Sequence, residues 1–255
     1  MSSNDTIGKT LGVALALCIV CSLVVSTAAV MLRPAQDANK EIDRQRNILA
    51  AAGMLKQGES ISEQFSHITA RAVNLDTGEY TDAVDISTYD QVAAAKDPDE
   101  SAKLGDKDTA GIGRRENIGL VYLVENQGKI EKIILPVRGY GLWSTLYGFL
   151  ALEGDANTVI GLGFYQHGET PGLGGEVDNP NWKALWHGKK VYEDGGVELH
   201  LVKGSVDSST PDAEYKVDGL SGATLTSRGV THLIQFWLGE NGYAPFLQNL
   251  RAGEV

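Results

Sequence analysis

The chain has 255 residues and a formal net charge of −11, from 22 basic and 33 acidic side chains. Nucleic-acid binding begins with clustered Lys and Arg that neutralise phosphates, so this balance argues against a nucleic-acid partner. Hydrophobic residues make up 42% of the chain, which is enough for one sizeable core. We therefore expect a single main domain, and the 30 glycines predict many tight turns or close approaches of the backbone.

The first feature along the chain is an apolar segment. Residues 10–32 carry no charge and lie between Lys9 and Arg33. As a helix, this segment extends about 35 Å, which is enough to cross a bilayer. We expect one transmembrane helix in contact with the lipid bilayer. A cleaved signal peptide is the alternative, because residues 26–28 are small, but the preceding residues are barely basic and the apolar run is longer than the usual limit of about 15 residues.

Both cysteines, Cys18 and Cys21, lie inside this segment, so no disulfide framework is available to the polar part of the chain. Leu17 and Val20 precede them at the position where a lipoprotein signal has a small residue, which disfavours a lipoprotein. Two apolar cysteines facing lipid are the ordinary interpretation. A metal or redox pair is the minority alternative, since thiolates are ligands that soft metals prefer.

The remainder predicts an α+β domain on a membrane anchor. A helix over residues 34–52 is expected to end before Gly53 and to form a stalk. Residues 60–116 are polar and acidic, with a turn at 76–78, and give no functional signal. The division that we expect has four parts in chain order: residues 1–9, a transmembrane helix at 10–32, a helical stalk at 33–56 and a mixed α+β domain at 57–255.

Strands and two final helices are predicted after residue 117. Runs of β-branched and aromatic residues place the strands at 119–124, 130–137, 142–152, 159–165, 189–192 and 197–202. A turn at 126–128 joins the first two strands in a hairpin. Thr226 and Ser227 are the expected N-cap pair of a helix that stops near Gly239, and a last helix is expected over 243–251.

Residues 218–227 form the first candidate site, a run of glycines and hydroxyl side chains that leads into a helix: Asp-Gly-Leu-Ser-Gly-Ala-Thr-Leu-Thr-Ser. Free N–H groups of a first helical turn, hydroxyl donors and the helix dipole together suit an anion such as a phosphate. Simple helix capping explains the same composition and is the commoner role of such loops.

Residues 168–176, Gly-Glu-Thr-Pro-Gly-Leu-Gly-Gly-Glu, form a second candidate after a predicted strand. Four glycines and a proline fix an unusual loop and allow close approach to a flat ligand, while Glu169 and Thr170 add a charge and a hydroxyl. The glycine order does not fit a dinucleotide-binding loop. A glycine-rich surface turn is the alternative.

Residues 138–144, Arg-Gly-Tyr-Gly-Leu-Trp-Ser, form the third candidate. Leu142 or Trp143 could cover a planar heterocycle at the start of a strand. A tryptophan in the hydrophobic core is the commoner outcome.

Together, the motifs GYGLWS, GETPGLGGEV and DGLSGATLTS resemble the FMN-binding domain family. With the single apolar span, the whole chain resembles the C subunits of bacterial sodium-translocating NADH:quinone oxidoreductases. The motif Asp-x-x-Ser-Gly-Ala-Thr is specific, because in that family a flavin transferase recognises it and esterifies the threonine with the phosphate of FMN taken from FAD. The resemblance implies that Thr224 carries covalent FMN and that the transferase recognises five residues: Asp218, Ser221, Gly222, Ala223 and Thr224.

The resemblance also implies which residues contact the flavin. One wall of the flavin site is expected from a segment after the predicted hairpin, the opposite wall from the glycine-rich loop, and the linkage from the helix start. In that order, the expected contacts are Gly141, Leu142, Trp143 and Ser144, then Glu169, Thr170, Leu173 and Gly174, then Ser221, Gly222, Ala223, Leu225 and Thr226.

The side of the membrane is the point on which charge and resemblance disagree. Local basic residues after the span favour a cytoplasmic domain: Arg33, Lys40, Arg44 and Arg46 against Lys9 alone. The transferase of this family works outside the bacterial inner membrane, so the resemblance implies a periplasmic domain. Large domains translocate largely regardless of charge, and we therefore follow the resemblance.

The function implied is electron transfer within a multi-subunit reductase. Covalent FMN would relay electrons from NADH towards ubiquinone, coupled to sodium export, with other membrane, flavin and iron–sulfur subunits as partners. Two alternatives remain: the equivalent covalent-FMN subunit of the Rnf electron-transport complex, and a membrane-anchored structural or assembly protein without a cofactor. A soluble metal centre is not expected, because the histidines are scattered and thiols occur only in the span.

Overall fold

The structure is a computed structural model, and it describes residues 6–255. Two compact units are present, one ending at Arg44 and the other spanning Gln45–Val255. The helices are α1 (Ile7–Ala51), α2 (Ile61–Phe65), α3 (Gln91–Ala94), α4 (Pro180–Ala184), α5 (Thr224–Trp237) and α6 (Ala244–Ala252). The strands are β1 (Ile68–Asn74), β2 (Ser101–Lys103), β3 (Arg114–Glu116), β4 (Ile118–Asn126), β5 (Lys129–Tyr140), β6 (Thr145–Glu153), β7 (Val159–Gln166), β8 (Tyr192–Glu193), β9 (Gly196–Val197), β10 (His200–Val202) and β11 (Lys216–Asp218).

The N-terminal unit is helical. Its apolar side chains are exposed, as at Leu17, Val24 and Leu32. Among residues 6–255, α1 is the helix that is long and apolar enough to cross a membrane, with a mean hydropathy of 2.6 over its most apolar window. The single apolar helix predicted near the N-terminus is therefore confirmed, and the stalk helix expected over 34–52 belongs to the same α1, which includes Pro34.

The second unit is built on a five-stranded antiparallel sheet with the strand order β1-β4-β5-β6-β7. The β4–β5 hairpin turns at Gln127 and Gly128, both at positive φ, as the Asn-Gln-Gly turn predicts. The strands β10 and β11 form a separate parallel pair, and β2–β3 and β8–β9 form short antiparallel pairs. The predicted mixed α+β domain is thus confirmed.

Both faces of the central sheet are covered. Successive side chains of a strand point to opposite faces, and on β4 Val121 and Leu123 belong to one buried cluster whereas Tyr122 belongs to the other. The first cluster includes Leu233 and Trp237 of α5 and Phe246 of α6. The second includes three residues at the end of α1 and the residue that follows it, so the last turns of this helix pack on the sheet: Ile48, Leu49, Ala51 and Ala52.

The acidic stretch at 60–116 contributes more structure than its composition suggested. It contains the edge strand β1, in which Ala72 and Val73 are buried on opposite faces of the sheet. The predicted turn at 76–78 is confirmed: Gly78 has φ +74°, and a Cβ added there would overlap the backbone carbonyl carbon of Pro245. Two alanines and an arginine interrupt the β-branched residues of β1, and adjacent Ala72 and Val73 are both buried, so its alternation is weak in the sequence.

Candidate functional site

The helix α5 lies close to the end of β5, and two glycines allow this approach. A Cβ added at Gly139 would lie 2.8 Å from the Cβ of Leu233, and one added at Gly229 would overlap the carbonyl oxygen of Tyr140. The side chain of Trp237 donates a 2.6 Å hydrogen bond to the carbonyl of Arg138. The sheet therefore fixes α5 beside the loop that follows Tyr140.

The start of α5 differs from the sequence prediction. The helix begins at Thr224, two residues before the predicted N-cap pair, and its N-cap is Ala223, which offers no side-chain acceptor. The N-cap prediction for Thr226 and Ser227 was wrong because both hydroxyls have other partners: Glu169 for Thr226, and the carbonyl of Ala223 for Ser227. The first turn of α5 thus has N–H groups that no side chain caps.

The hydroxyl groups around this turn differ in access. Thr226 is fully buried and donates to Glu169 at 2.7 Å, and Ser227 also accepts from the N–H of Leu220 at 2.9 Å. Ser221 and Thr224 are exposed. Within the part of the chain that the structure describes, neither of these two hydroxyls has a hydrogen-bond partner. Thr224 is therefore an accessible hydroxyl at the first residue of a helix.

The glycine-rich loop folds back on itself and reaches the helix start. The carbonyl of Thr170 accepts hydrogen bonds from the N–H groups of Leu173 and Gly175, at 3.1 and 2.9 Å. Gly172 has φ +75°, which favours glycine. A Cβ at Gly222 would lie 3.0 Å from the side chain of Leu173, so this leucine lies directly against the loop before α5.

Glu169 joins all three predicted motifs. One carboxylate oxygen, Oε1, accepts hydrogen bonds from three consecutive backbone N–H groups, at 3.0, 2.9 and 3.3 Å: Leu142, Trp143 and Ser144. The other oxygen, Oε2, accepts from the hydroxyl of Thr226. The side chain is buried, with 5% of the residue exposed. The three motifs, separated by up to about 80 residues in sequence, therefore meet at this carboxylate.

Hydrogen bonds control the ionisation of this carboxyl. Burial alone would raise the pKa of Glu169, but the hydrogen bonds from Thr226 and from the loop N–H groups favour the charged form more strongly and hold the pKa below its ordinary value. Glu169 is thus a carboxylate at neutral pH.

Apolar side chains around the three motifs are exposed. Trp143 is 66% exposed, and its placement in solvent excludes the core role that was its alternative. Five large exposed side chains come from the three motifs: Tyr140, Leu142, Trp143, Leu173 and Leu225. Such side chains supply the contacts that a planar heterocycle needs.

Two supporting residues were not predicted. Trp182 of α4 donates a 2.9 Å hydrogen bond to the carbonyl of Asp218 and so links the segment after the glycine-rich loop to the start of the Asp-Gly-Leu-Ser motif. His167 accepts from the N–H of Glu169 through Nδ1 and contacts Asp178 through Nε2, at 3.2 and 2.8 Å. No motif in the sequence marks these interactions.

Side chains of the types that ligate metals are dispersed over the described residues. Across residues 6–255, no group of three or more His, Cys, Asp or Glu side chains is arranged to hold a metal ion. Cys18 and Cys21 are exposed thiols on α1. The free helical N–H groups and the hydroxyls fit a flavin phosphate. The glycines and the exposed apolar side chains fit its ring system.

Comparison with known proteins agrees with this geometry. The family model described as FMN-binding domain matches residues 141–239. This range includes the second and third of the motifs in chain order, and residues 141–144 of the first. The C subunit of the Na⁺-translocating NADH-quinone reductase from Pseudomonas aeruginosa is 55% identical over the full length of both chains, and the one from Vibrio vulnificus is 51% identical over 99% of both. The fold and the site thus define a membrane-anchored protein with an FMN-binding domain.

Solved structures support the same conclusion. A crystal structure of NqrC from Shewanella oneidensis is 38% identical, with a TM-score of 0.78 over 84% of this chain and 99% of that one. The C subunit of the reductase from Parabacteroides distasonis is 28% identical, with a TM-score of 0.66 over 85% and 96%. The chain belongs to the family of C subunits of Na⁺-translocating NADH-quinone reductases. Between the two complexes that the sequence motifs left open, this family assignment selects the sodium-translocating reductase over Rnf.

Proposed function

We propose that this chain is the electron-transfer subunit of a sodium-translocating NADH:quinone reductase and that it carries FMN in a phosphoester bond to Thr224. Bound FMN would supply the redox chemistry, accepting electrons that originate from NADH and passing them on towards ubiquinone while sodium is exported. The protein supplies binding, orientation and a polar surrounding for that chemistry. It acts within the complex and is not a complete enzyme alone.

The observation that carries this proposal is the position of the Thr224 hydroxyl. It is exposed at the first residue of a 14-residue helix whose first turn has no side-chain cap. A phosphate attached there would lie next to free N–H groups and the positive end of the helix dipole. Thr226, two residues further along the same turn, is buried and bonded to Glu169, so it is not available for attachment.

Attachment requires a second enzyme. A threonine hydroxyl is a weak nucleophile unless a base removes its proton, and no such base contacts Thr224 within residues 6–255. A flavin transferase would take the proton while the hydroxyl oxygen bonds to the FMN phosphorus of FAD, and AMP would leave as the phosphoanhydride bond breaks. We propose that this transferase recognises Asp218, Ser221, Gly222, Ala223 and Thr224.

The exposed side chains of the three motifs would hold the flavin ring system. Gly141, Leu142, Trp143 and Ser144 form one proposed wall. Thr170, Leu173 and Gly174 would form the opposite wall, with Leu225 beside the linkage. Four exposed side chains of this site would exclude water from one side of a planar ring: Leu142, Trp143, Leu173 and Leu225.

The arrangement in the membrane is also part of the proposal. Residues 1–9 would lie in the cytoplasm, 10–32 would cross the bacterial inner membrane, 33–56 would form the stalk, and 57–255 would lie in the periplasm, where the transferase acts. The partners would be the other membrane, flavin and iron–sulfur subunits of the complex. Relatives that match the whole chain bear the name of this subunit, which supports the same assembly.

Replacing Thr224 tests the linkage. Thr224→Ala should abolish covalent flavin and leave the fold unchanged, because the exposed hydroxyl is the attachment atom and little volume is lost. Thr226→Val is the matched control: it removes a hydroxyl two residues away and should retain covalent flavin. The readout is flavin fluorescence of the denatured chain in a gel, after coexpression with the transferase. Fluorescence that persists in Thr224→Ala, or disappears in Thr226→Val, would place the linkage elsewhere.

A further inference from the structure

Both carboxylate oxygens of Glu169 accept hydrogen bonds from groups inside the protein. Oε1 faces three consecutive N–H groups, from Leu142 to Ser144, and Oε2 faces the hydroxyl of Thr226. The side chain is buried among these donors. The resemblance to the FMN-binding family placed Glu169 in a wall that contacts the flavin, whereas these bonds direct the carboxylate into the protein.

Two glycines make room for this carboxylate. A Cβ at Gly141 would lie 2.6 Å from Oε1 of Glu169, and a Cβ at Gly174 would lie 2.6 Å from Oε2 and 2.5 Å from the hydroxyl of Thr226. Both glycines belong to the proposed flavin site. Their lack of a side chain is thus explained by the carboxylate as well as by any ligand.

The charge of Glu169 has no cationic partner. Among residues 6–255, the groups that donate to its carboxylate are backbone N–H groups and one hydroxyl, and no Lys, Arg or His forms an ion pair with it. The nearby His167 contacts Asp178, which also pairs with Lys183. A net negative charge therefore lies directly beneath the loop that carries Trp143.

We propose that Glu169 is a positioning residue that clamps the Leu142–Ser144 loop to the start of α5, and that its uncompensated negative charge lowers the reduction potential of the flavin held there. The clamp concerns the protein alone. The effect on the reduction potential rests on the proposed function, because it requires flavin at this site. Fixed negative charge disfavours the addition of electrons to a nearby group, since the added charge is repelled.

The clamp is tested first on the full-length chain in detergent, expressed without the transferase. Glu169→Gln retains the shape of the side chain but replaces charged hydrogen bonds by weaker neutral ones. Hydrogen exchange at the amides of Leu142, Trp143 and Ser144 should accelerate about tenfold or more. The matched control is Glu131→Gln, which makes the same chemical change at an exposed carboxylate on the opposite end of β5. Unchanged exchange at the three amides in folded Glu169→Gln would overturn the clamp.

The charge is tested on the same variants after coexpression with the transferase, by redox titration of the attached flavin. Glu169→Gln should shift the midpoint potential to a more positive value, and Glu131→Gln should leave it unchanged. Thr226→Val, which keeps the charge and removes one hydrogen bond, separates the two effects: it should loosen the loop amides with a smaller shift in potential. An unchanged potential in Glu169→Gln would overturn the electrostatic half of the proposal. If the wild type carried no flavin, the proposed function would fail, while the exchange measurement would still decide the clamp.

Discussion

Two buried glutamates in the domain are paired in different ways. Glu116 is fully buried and forms a two-pronged ion pair with Arg138, with N···O distances of 2.9 and 2.5 Å, and it also accepts from the side-chain amide of Gln91. Glu169 is nearly as buried, but its donors are three backbone N–H groups and one hydroxyl. Arg138 neutralises the charge of Glu116, whereas no cation neutralises the charge of Glu169.

This difference separates a structural region from a functional one. A buried ion pair is costly to break, because removing one partner leaves an uncompensated charge. The Glu116–Arg138 pair joins β3 to β5, and the Arg138 guanidinium lies over the ring of Trp237, so the pair supports the sheet and the end of α5. The Glu169 region instead joins loops at the start of α5, where an accessible hydroxyl and exposed apolar side chains meet. A charge that remains uncompensated can act on a bound group.

The largest expected effect is on stability. Arg138→Met leaves Glu116 buried without its cation, so the free energy of unfolding should fall by about 3–5 kcal/mol. Chemical denaturation followed by circular dichroism measures this loss. Arg251→Met is the control, since that exposed arginine contacts the ring of Tyr192, and it should cost about 1 kcal/mol or less. A loss in Arg138→Met no larger than that of the control would contradict the cost assigned to leaving Glu116 without its cation.

Glu169→Gln should have a smaller effect that depends on pH. At neutral pH, loss of the charged hydrogen bonds should reduce the free energy of unfolding by about 1–3 kcal/mol. The pKa of Glu169 is lowered in the folded state, so its contribution is present above the ordinary value of 4.5 and is lost as the pH falls through the lowered pKa. The difference in stability between wild type and variant should therefore shrink below about pH 4.5. A difference independent of pH would contradict an ionised carboxylate.

Thr226→Val should cost less again. It removes the one hydroxyl donor to Oε2 and leaves the three N–H bonds to Oε1 intact, so we expect a loss of about 1 kcal/mol in the free energy of unfolding. Thermal unfolding of the full-length chain in detergent measures it. A loss as large as that of Arg138→Met would show that the two regions are energetically alike.

Trp143→Ala should change stability least, by about 0.5 kcal/mol or less, because the side chain is mostly in solvent. Its effect should appear in the flavin instead: a shifted visible absorption spectrum with the covalent bond retained. Absorption of the purified flavoprotein and denaturation of the same sample are compared. A large loss of stability with an unchanged spectrum would make Trp143 a core residue, against its exposure.

Much of the fold could be predicted from local pattern. The apolar span, the β4–β5 hairpin and the last helix follow from hydrophobic runs and turn residues that lie close together in sequence. The strand β1 was missed because alanines and an arginine weaken its two-residue alternation, and its partner β4 lies about 50 residues further on. Pairing across such a distance leaves no local signal.

The candidate site was predictable in its parts and not in its internal bonds. Glycines and hydroxyls marked the three segments, and their resemblance to a known family related them to FMN. The same composition made Thr226 look like a helix cap, although its hydroxyl bonds to a glutamate 57 residues earlier. For Glu169, likewise, the sequence shows a charge but not the four donors that surround it.

Peptide mass spectrometry of the wild-type chain tests covalent attachment at Thr224 most directly. The full-length protein is produced with and without an active flavin transferase in the same compartment, digested, and measured for the mass of FMN on the peptide that contains Thr224. We expect this mass to be present with the transferase and absent without it. An unmodified Thr224 peptide in the presence of active transferase would contradict the assignment of this chain as a covalent flavoprotein linked at that residue.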